Sequence, residues 1–180
     1  MKKQPKELLI VGVFSFVGAL SFGFSIGIFH LWLLIPAAFI TFWYAVPLFK
    51  YKGKRISLRS YPSIKISSIA FVWTISTVLF PLQENLTDWQ VYLEFVQRFF
   101  LFITLIIPFD IRDLNKDASH LQTLPQKIGI AKVKIVGIQC LVLFFILGFF
   151  KIPLDETTVV SELLVFILSL LLLKGVANIE

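Results

Sequence analysis

Apolar residues run along this chain in long unbroken blocks. Six stand out, near 8–29, 31–49, 66–82, 91–109, 135–150 and 159–173, with polar segments between them. Crossing a hydrocarbon core of about 30 Å takes roughly 17–25 helical residues, and several of these blocks lie at the short end of that range. Inside lipid each backbone N–H and C=O must be bonded within its own segment, so the blocks predict helices. A cleaved signal peptide does not explain six in succession, and no small-residue cleavage site follows the first. The expected architecture is therefore all-α: a polytopic transmembrane bundle, with residues 1–180 forming a single integral membrane domain.

Composition agrees, at 57% hydrophobic residues and a mean hydropathy of +0.86, well above a soluble domain. The positive charge then sets an orientation. With the amino terminus inside, the termini and the inner loops 50–65 and 110–134 hold fifteen of the seventeen Lys and Arg residues. Only Lys151 falls in an outer loop and only Arg98 within a span, so the positive-inside rule predicts both termini and both long loops on the cytoplasmic side. The net charge of +6 is then a basic membrane face, with no nucleic-acid module in evidence. Cys140 lies mid-span as a packing residue, and one cysteine with His30 and His120 makes neither a disulfide framework nor a Cys/His metal site.

Several features read as structure. Gly23-Phe-Ser-Ile-Gly27, with Ser21 and Ser25, is a small-residue face for close helix packing. Glu94 and Arg98, four residues apart in the fourth span, are expected to neutralise each other near the outer surface, and Glu162 is expected to reach water. Trp89 and Tyr92 fit an interfacial anchor. Phe42, Trp43, Phe71 and Trp73, beside hydroxyls of Ser67, Thr74 and Thr77, either pack against lipid and core or line an aromatic pocket able to stabilise a cation.

Candidate chemistry concentrates in the inner loops. On a helix, Asp110, Asp113 and Asp117 fall within a sector roughly 60° wide, with Arg112 and Lys116 on the other side. Carboxylates that close raise one another's pKa unless a cation lies between them, and magnesium suits the role because it combines carboxylate, water and phosphate oxygens. The alternative is a solvated, charge-segregated helix start. The loop 50–65 carries six cations among hydroxyls and is suited to gripping a diphosphate, or to holding topology alone.

The segment Asp110-Ile-Arg112-Asp113-Leu-Asn-Lys-Asp117, followed by Thr123-Leu-Pro125-Gln-Lys127-Ile-Gly129, closely resembles the second aspartate-rich motif of the UbiA superfamily of intramembrane prenyltransferases. Tyr44-Ala-Val-Pro47-Leu-Phe-Lys50 is similar to the family's fourth helix and its basic exit. The resemblance implies that the six spans correspond to helices three to eight of a nine-helix fold. It implies Mg2+ held by Asp110, Asp113 and Asp117, with Lys50, Lys54, Arg55, Arg112 and Lys127 near the diphosphate. The partners implied are a polyprenyl diphosphate and an aromatic or other lipid-soluble acceptor.

The family's first motif, Asn-x-x-x-Asp-x-x-x-Asp, has no counterpart, since Asn85, Asn115 and Asn178 are the only asparagines. Gln122 stands where a basic residue usually precedes the threonine. Three readings follow. The chain is an incomplete prenyltransferase lacking an amino-terminal segment, or a non-catalytic UbiA-like protein with a scaffold or partner-binding role. A transporter or channel subunit calls for more intramembrane charge than Glu94, Arg98 and Glu162 provide.

Overall fold

The computed structural model of the chain describes residues 6–26, 28–46, 49–51, 54–56, 61–114, 123–152 and 155–176. It is a helical bundle: α1 (Lys6–Ile26), α2 (Ile35–Ala45), α3 (Pro62–Thr74), α4 (Trp89–Arg112), the short α5 (Leu124–Ile128), α6 (Ile130–Gly148) and α7 (Glu156–Gly175). A three-residue antiparallel pair, β1 (Phe49–Tyr51) with β2 (Lys54–Ile56), interrupts it. Among the described residues four helices are long and apolar enough to cross a membrane: Pro62–Leu79, in which a π-helical turn continues α3, then α4, α6 and α7. The first two predicted spans form shorter apolar helices, Ile10–Gly23 and Leu31–Ala45.

Local chemistry explains where the helices depart from the apolar blocks. The block 31–49 starts as a 3-10 helix, Ile28–Leu34, and turns α-helical only where Pro36, which has no N–H to lose, occupies the first turn. It ends at Ala45. Val46 precedes Pro47, whose ring excludes helical geometry from the residue before it, and Val46 is extended (φ −95°, ψ 124°). The predicted span is thus cut short, and Phe49 belongs to a strand.

In α3, Thr74, Ser76 and Thr77 each return a hydroxyl hydrogen bond to the carbonyl four residues back. Such bonds compete with the helical ladder, and here the ladder widens so that Phe80 N–H reaches Ile75 O at 2.9 Å. Helices α4 and α7 begin at aspartates: the Asp88 carboxylate accepts from Gln90 N–H at 2.9 Å and that of Asp155 from Thr158 N–H at 3.2 Å. Trp89 and Tyr92 are exposed on the first turn of α4, as an interfacial anchor requires.

Helix α4 is the hub. Ile107 and Ile111 pack with Val133 of α6 and Leu173 of α7, while Leu101 packs with Leu141 and Phe144 of α6. The three helices meet most closely at Gly137, where an added Cβ would lie 3.0 Å from a Leu173 methyl and 3.2 Å from one of Ile107. Thr104 uses that proximity to donate to Gly137 O at 3.2 Å, besides its own helix's Phe100 O. Cys140 is buried and free, and serves packing as its sequence position implies. By contrast Phe14 and Phe22 on α1, and Leu164, Leu168 and Leu171 on α7, are exposed, as lipid-facing helices require. Gly23 packs beneath Leu31, so the predicted small-residue face receives the turn that follows α1.

A Gly137→Val variant is expected to lose roughly 1–3 kcal/mol by overpacking, and Gly137→Ala less. Reversible unfolding in mixed micelles measures both, and an unchanged midpoint for the valine variant would contradict the three-helix contact.

Candidate functional site

The carboxyl end of α4 carries the acidic motif. Pro108, which leaves one helical hydrogen bond unmade, precedes it. Asp110 follows on the helix and is buried, and its Oδ1 lies 2.8 Å from Lys65 Nζ on α3. Its second oxygen, Oδ2, is buried with no hydrogen-bond partner among the described residues. A buried carboxylate left half satisfied is uncommon, because stripping it of water costs several kcal/mol. Lys65 came into the sequence reading as one cation of a basic loop. Its pairing with Asp110, 45 positions away, depends on the α3–α4 contact.

Helix α4 ends at Arg112, and Asp113 is its C-cap, with φ −88° and ψ 5°. This corrects the sequence expectation in two respects: the acidic segment closes a helix where a helix start was one reading, and one helical register does not carry the cluster past Arg112. Asp113 is partly exposed and takes the Arg112 Nε at 3.3 Å, while the guanidinium also lies 5.1 Å from the centre of the Phe109 ring. Asp117 and Lys116 lie outside the described residues. No group of three or more His, Cys, Asp or Glu side chains able to hold a metal occurs among the described residues.

Around this end the chain gathers further polar groups. Thr123 is buried ahead of α5, its N–H bonded to Gln126 Oε1 at 2.9 Å, and Gln126 in turn donates to Leu114 O at 3.2 Å. That link ties α5 to the turn after α4 and puts exposed Lys127 on the short helix. Gly129 makes the bend from α5 into α6 at φ 87°, a left-handed conformation that favours glycine. In the β1–β2 pair Lys50 stands opposite Arg55, and Tyr51 opposite Lys54. The side chains of Lys50, Lys54 and Arg55 lie outside the described residues. A cavity of about 190 Å3 opens between α2 and α3, lined by Ile40, Thr41, Tyr44, Ser68, Ile69, Val72 and Trp73. It lies within one turn of Lys65 along α3.

A second charged centre lies at the other end of α4, about 24 Å away along the helix axis at 1.5 Å per residue. Glu94 Oε1 accepts from Arg98 Nε at 2.6 Å, as the i, i+4 spacing leads one to expect. Its other oxygen pairs with Lys151 Nζ, which also lies 3.0 Å from Glu162 Oε1. Glu162, expected to reach water, is partly buried at the cavity wall, and its Oε1 is held from a second side by Gln97 Nε2 at 2.9 Å. Gly148 makes this possible, since a Cβ there would fall 1.7 Å from Glu162 Oε2. Sequence reading separated these residues, although Lys151, alone among outer-loop cations, and Gln97, an amide inside a span, were the available signals.

No family model matches the chain, and no curated protein or solved structure matches it either.

Replacing Lys65 by Met leaves a buried unpaired carboxylate and is expected to cost about 3–5 kcal/mol, with most of the loss recovered when Asp110→Asn is added. A double-mutant cycle on unfolding free energies checks this, and additive losses would exclude a direct pair. Gly148→Ala is expected to lower the unfolding midpoint more than Gly137→Ala, because it displaces a buried carboxylate rather than a methyl.

Proposed function

We propose that this chain binds a polyprenyl diphosphate through magnesium at the carboxyl end of α4 and is built on the UbiA prenyltransferase plan, with its six apolar segments standing for helices three to eight. The observation that carries the proposal is Asp110. Its carboxylate is buried, anchored on one side by Lys65, and leaves Oδ2 without a hydrogen-bond partner among the described residues. A hard cation or its bound water satisfies such an oxygen, and carboxylate oxygens are the donor type magnesium selects. Asp110, Asp113 and Asp117 are the assigned metal residues. Lys50, Lys54, Arg55, Arg112 and Lys127 are assigned to the diphosphate, whose charge bound magnesium would help to neutralise.

The residues around the site have complementary tasks. Lys65 fixes the Asp110 rotamer through its 2.8 Å contact, so that one oxygen is presented in a set direction. Tyr44 and Trp73 border an apolar cavity between α2 and α3, where a prenyl tail would be shielded from water. The basic β1–β2 segment supplies cations for phosphate oxygens, at which lysine and arginine serve as charge and fork respectively. The acceptor is aromatic or otherwise lipid-soluble, and the catalytic face is cytoplasmic by the distribution of Lys and Arg.

Transfer to an acceptor calls for the family's first aspartate motif as well, so this chain alone is proposed to bind the diphosphate more readily than to turn it over. A specific observation also favours a non-catalytic, scaffold reading: Lys65 already neutralises Asp110. Magnesium-dependent binding of a prenyl diphosphate to the chain in detergent separates the two. Binding is expected to require magnesium and to fall by about tenfold or more in an Asp113→Asn, Asp117→Asn double variant, as loss of charge-assisted contacts implies. Equal binding by both proteins, or none by either, leaves the scaffold reading. Diphosphate release, followed in parallel, reports any turnover.

A further inference from the structure

At the end of α4 remote from the aspartate motif lies a cavity of about 840 Å3, bounded by the turn after α3, the first turns of α4, the α6–α7 loop and α7. Its lining is divided by chemistry. Leu82, Val91, Phe102 and Ile152 give it apolar walls, and Phe102 is itself stacked on Trp73 with ring centroids 6.1 Å apart. Asp88, Glu94, Arg98, Lys151 and Glu162 give it charge of both signs. None of these residues belongs to the diphosphate site proposed above.

The charges do not all cancel within the protein. Lys151 is paired with both Glu94 and Glu162, and Glu162 Oε1 also accepts from Gln97. Arg98 is different, because Glu94 engages only its Nε, and its two Nη groups have no partner among the described residues. The guanidinium is thus held from the side while its terminal fork stays available, and that fork geometry matches two oxygens of a phosphate. Asp88 is likewise half used: Oδ1 caps α4 through Gln90 N–H, and Oδ2, at an exposed position, has no partner among the described residues. An open anion-binding fork, an open carboxylate and an apolar wall therefore share one cavity. Arg98 lies ten residues along α4 from Asp88, about 15 Å.

We propose that this cavity binds an amphiphile with a zwitterionic phosphate–ammonium head, the chemistry of an aminophospholipid. The phosphate takes the Arg98 fork, the primary ammonium donates toward Asp88 at the mouth, and the first part of the hydrocarbon lies against Phe102, Leu82 and Val91. A primary ammonium has three N–H donors for the carboxylate, whereas a trimethylated one has none, so ethanolamine heads are selected over choline heads. Purely anionic lipid satisfies Arg98 but leaves Asp88 facing a negative group. The role of Glu94, Lys151 and Glu162 is to position Arg98 by its Nε.

The test is native mass spectrometry of the full chain released from bilayers of equal ethanolamine, choline and glycerol phospholipid. Wild type is expected to retain ethanolamine lipid about tenfold over either competitor, the ratio that one charge-assisted hydrogen-bonded contact gives. Arg98→Lys keeps the pair with Glu94 but removes the fork, and is expected to lower total retention without shifting the unfolding midpoint. Asp88→Asn keeps the helix cap, since asparagine caps as well as aspartate, and is expected to abolish the preference for ethanolamine over choline. Free phosphoethanolamine is expected to leave the bound lipid in place. Equal retention of all three lipids, retention indifferent to both variants, or displacement by the free head group as effectively as by a short-chain lipid would each overturn the proposal.

Discussion

A carboxylate removed from water has to be matched by a cation or give up its charge, and α4 carries one such carboxylate near each end. Much of the tertiary arrangement follows from how those two are matched. Asp110 draws in Lys65 and so draws α3 against the last turns of α4. Glu94 draws in Arg98 from its own helix and Lys151 from the α6–α7 loop, and Lys151 brings Glu162 of α7 with it. Between the two ionic ends the contact is apolar and close, with Gly137 letting α6 settle between Ile107 and Leu173. In a low-dielectric setting these pairs also impose register, because sliding α4 past its neighbours would strand a charge.

The two ends nevertheless differ in chemistry. Near the Asp110 end lie Lys127 on α5 and an apolar cavity between α2 and α3, the two helices that the basic β1–β2 segment joins in sequence. On the proposed reading, that combination receives a diphosphate carrying a long hydrocarbon. The Glu94 end has nearly balanced charge and a wider cavity with apolar walls, which suits a smaller zwitterionic head. Helix α4, whose buried positions Val91, Gln97, Leu101, Thr104, Ile107 and Asp110 run from one end to the other, is the common frame for both.

Legibility in the sequence varied with how local the determining chemistry was. Block hydrophobicity located every helix that is long enough to cross a membrane, because desolvation of a peptide segment depends on that segment alone. Helix ends were less legible. Val46 before Pro47 and the returning hydroxyls of Thr74, Ser76 and Thr77 redirect the backbone without altering hydropathy. The acidic motif was legible as a concentration of carboxylates, and the Glu94–Arg98 pair as an i, i+4 spacing. The end of α4 at Arg112, with Asp113 as its cap, was not, since nothing in a run of alternating charges marks where the helical ladder stops.

Taken by itself, then, the sequence determined the class of the protein, its apolar helices, the concentration of Lys and Arg in a few polar segments and the residues able to carry chemistry. All of these are sums over residues near one another in the chain. The tertiary structure alone decided which of those charged residues neutralise each other. Lys65 with Asp110 and Gln97 with Glu162 are 45 and 65 positions apart, so their pairing depends on helix packing that no local pattern encodes. The same packing leaves Asp110 Oδ2 and the Arg98 fork unsatisfied by the described protein groups, and those two open positions are where ligands are expected.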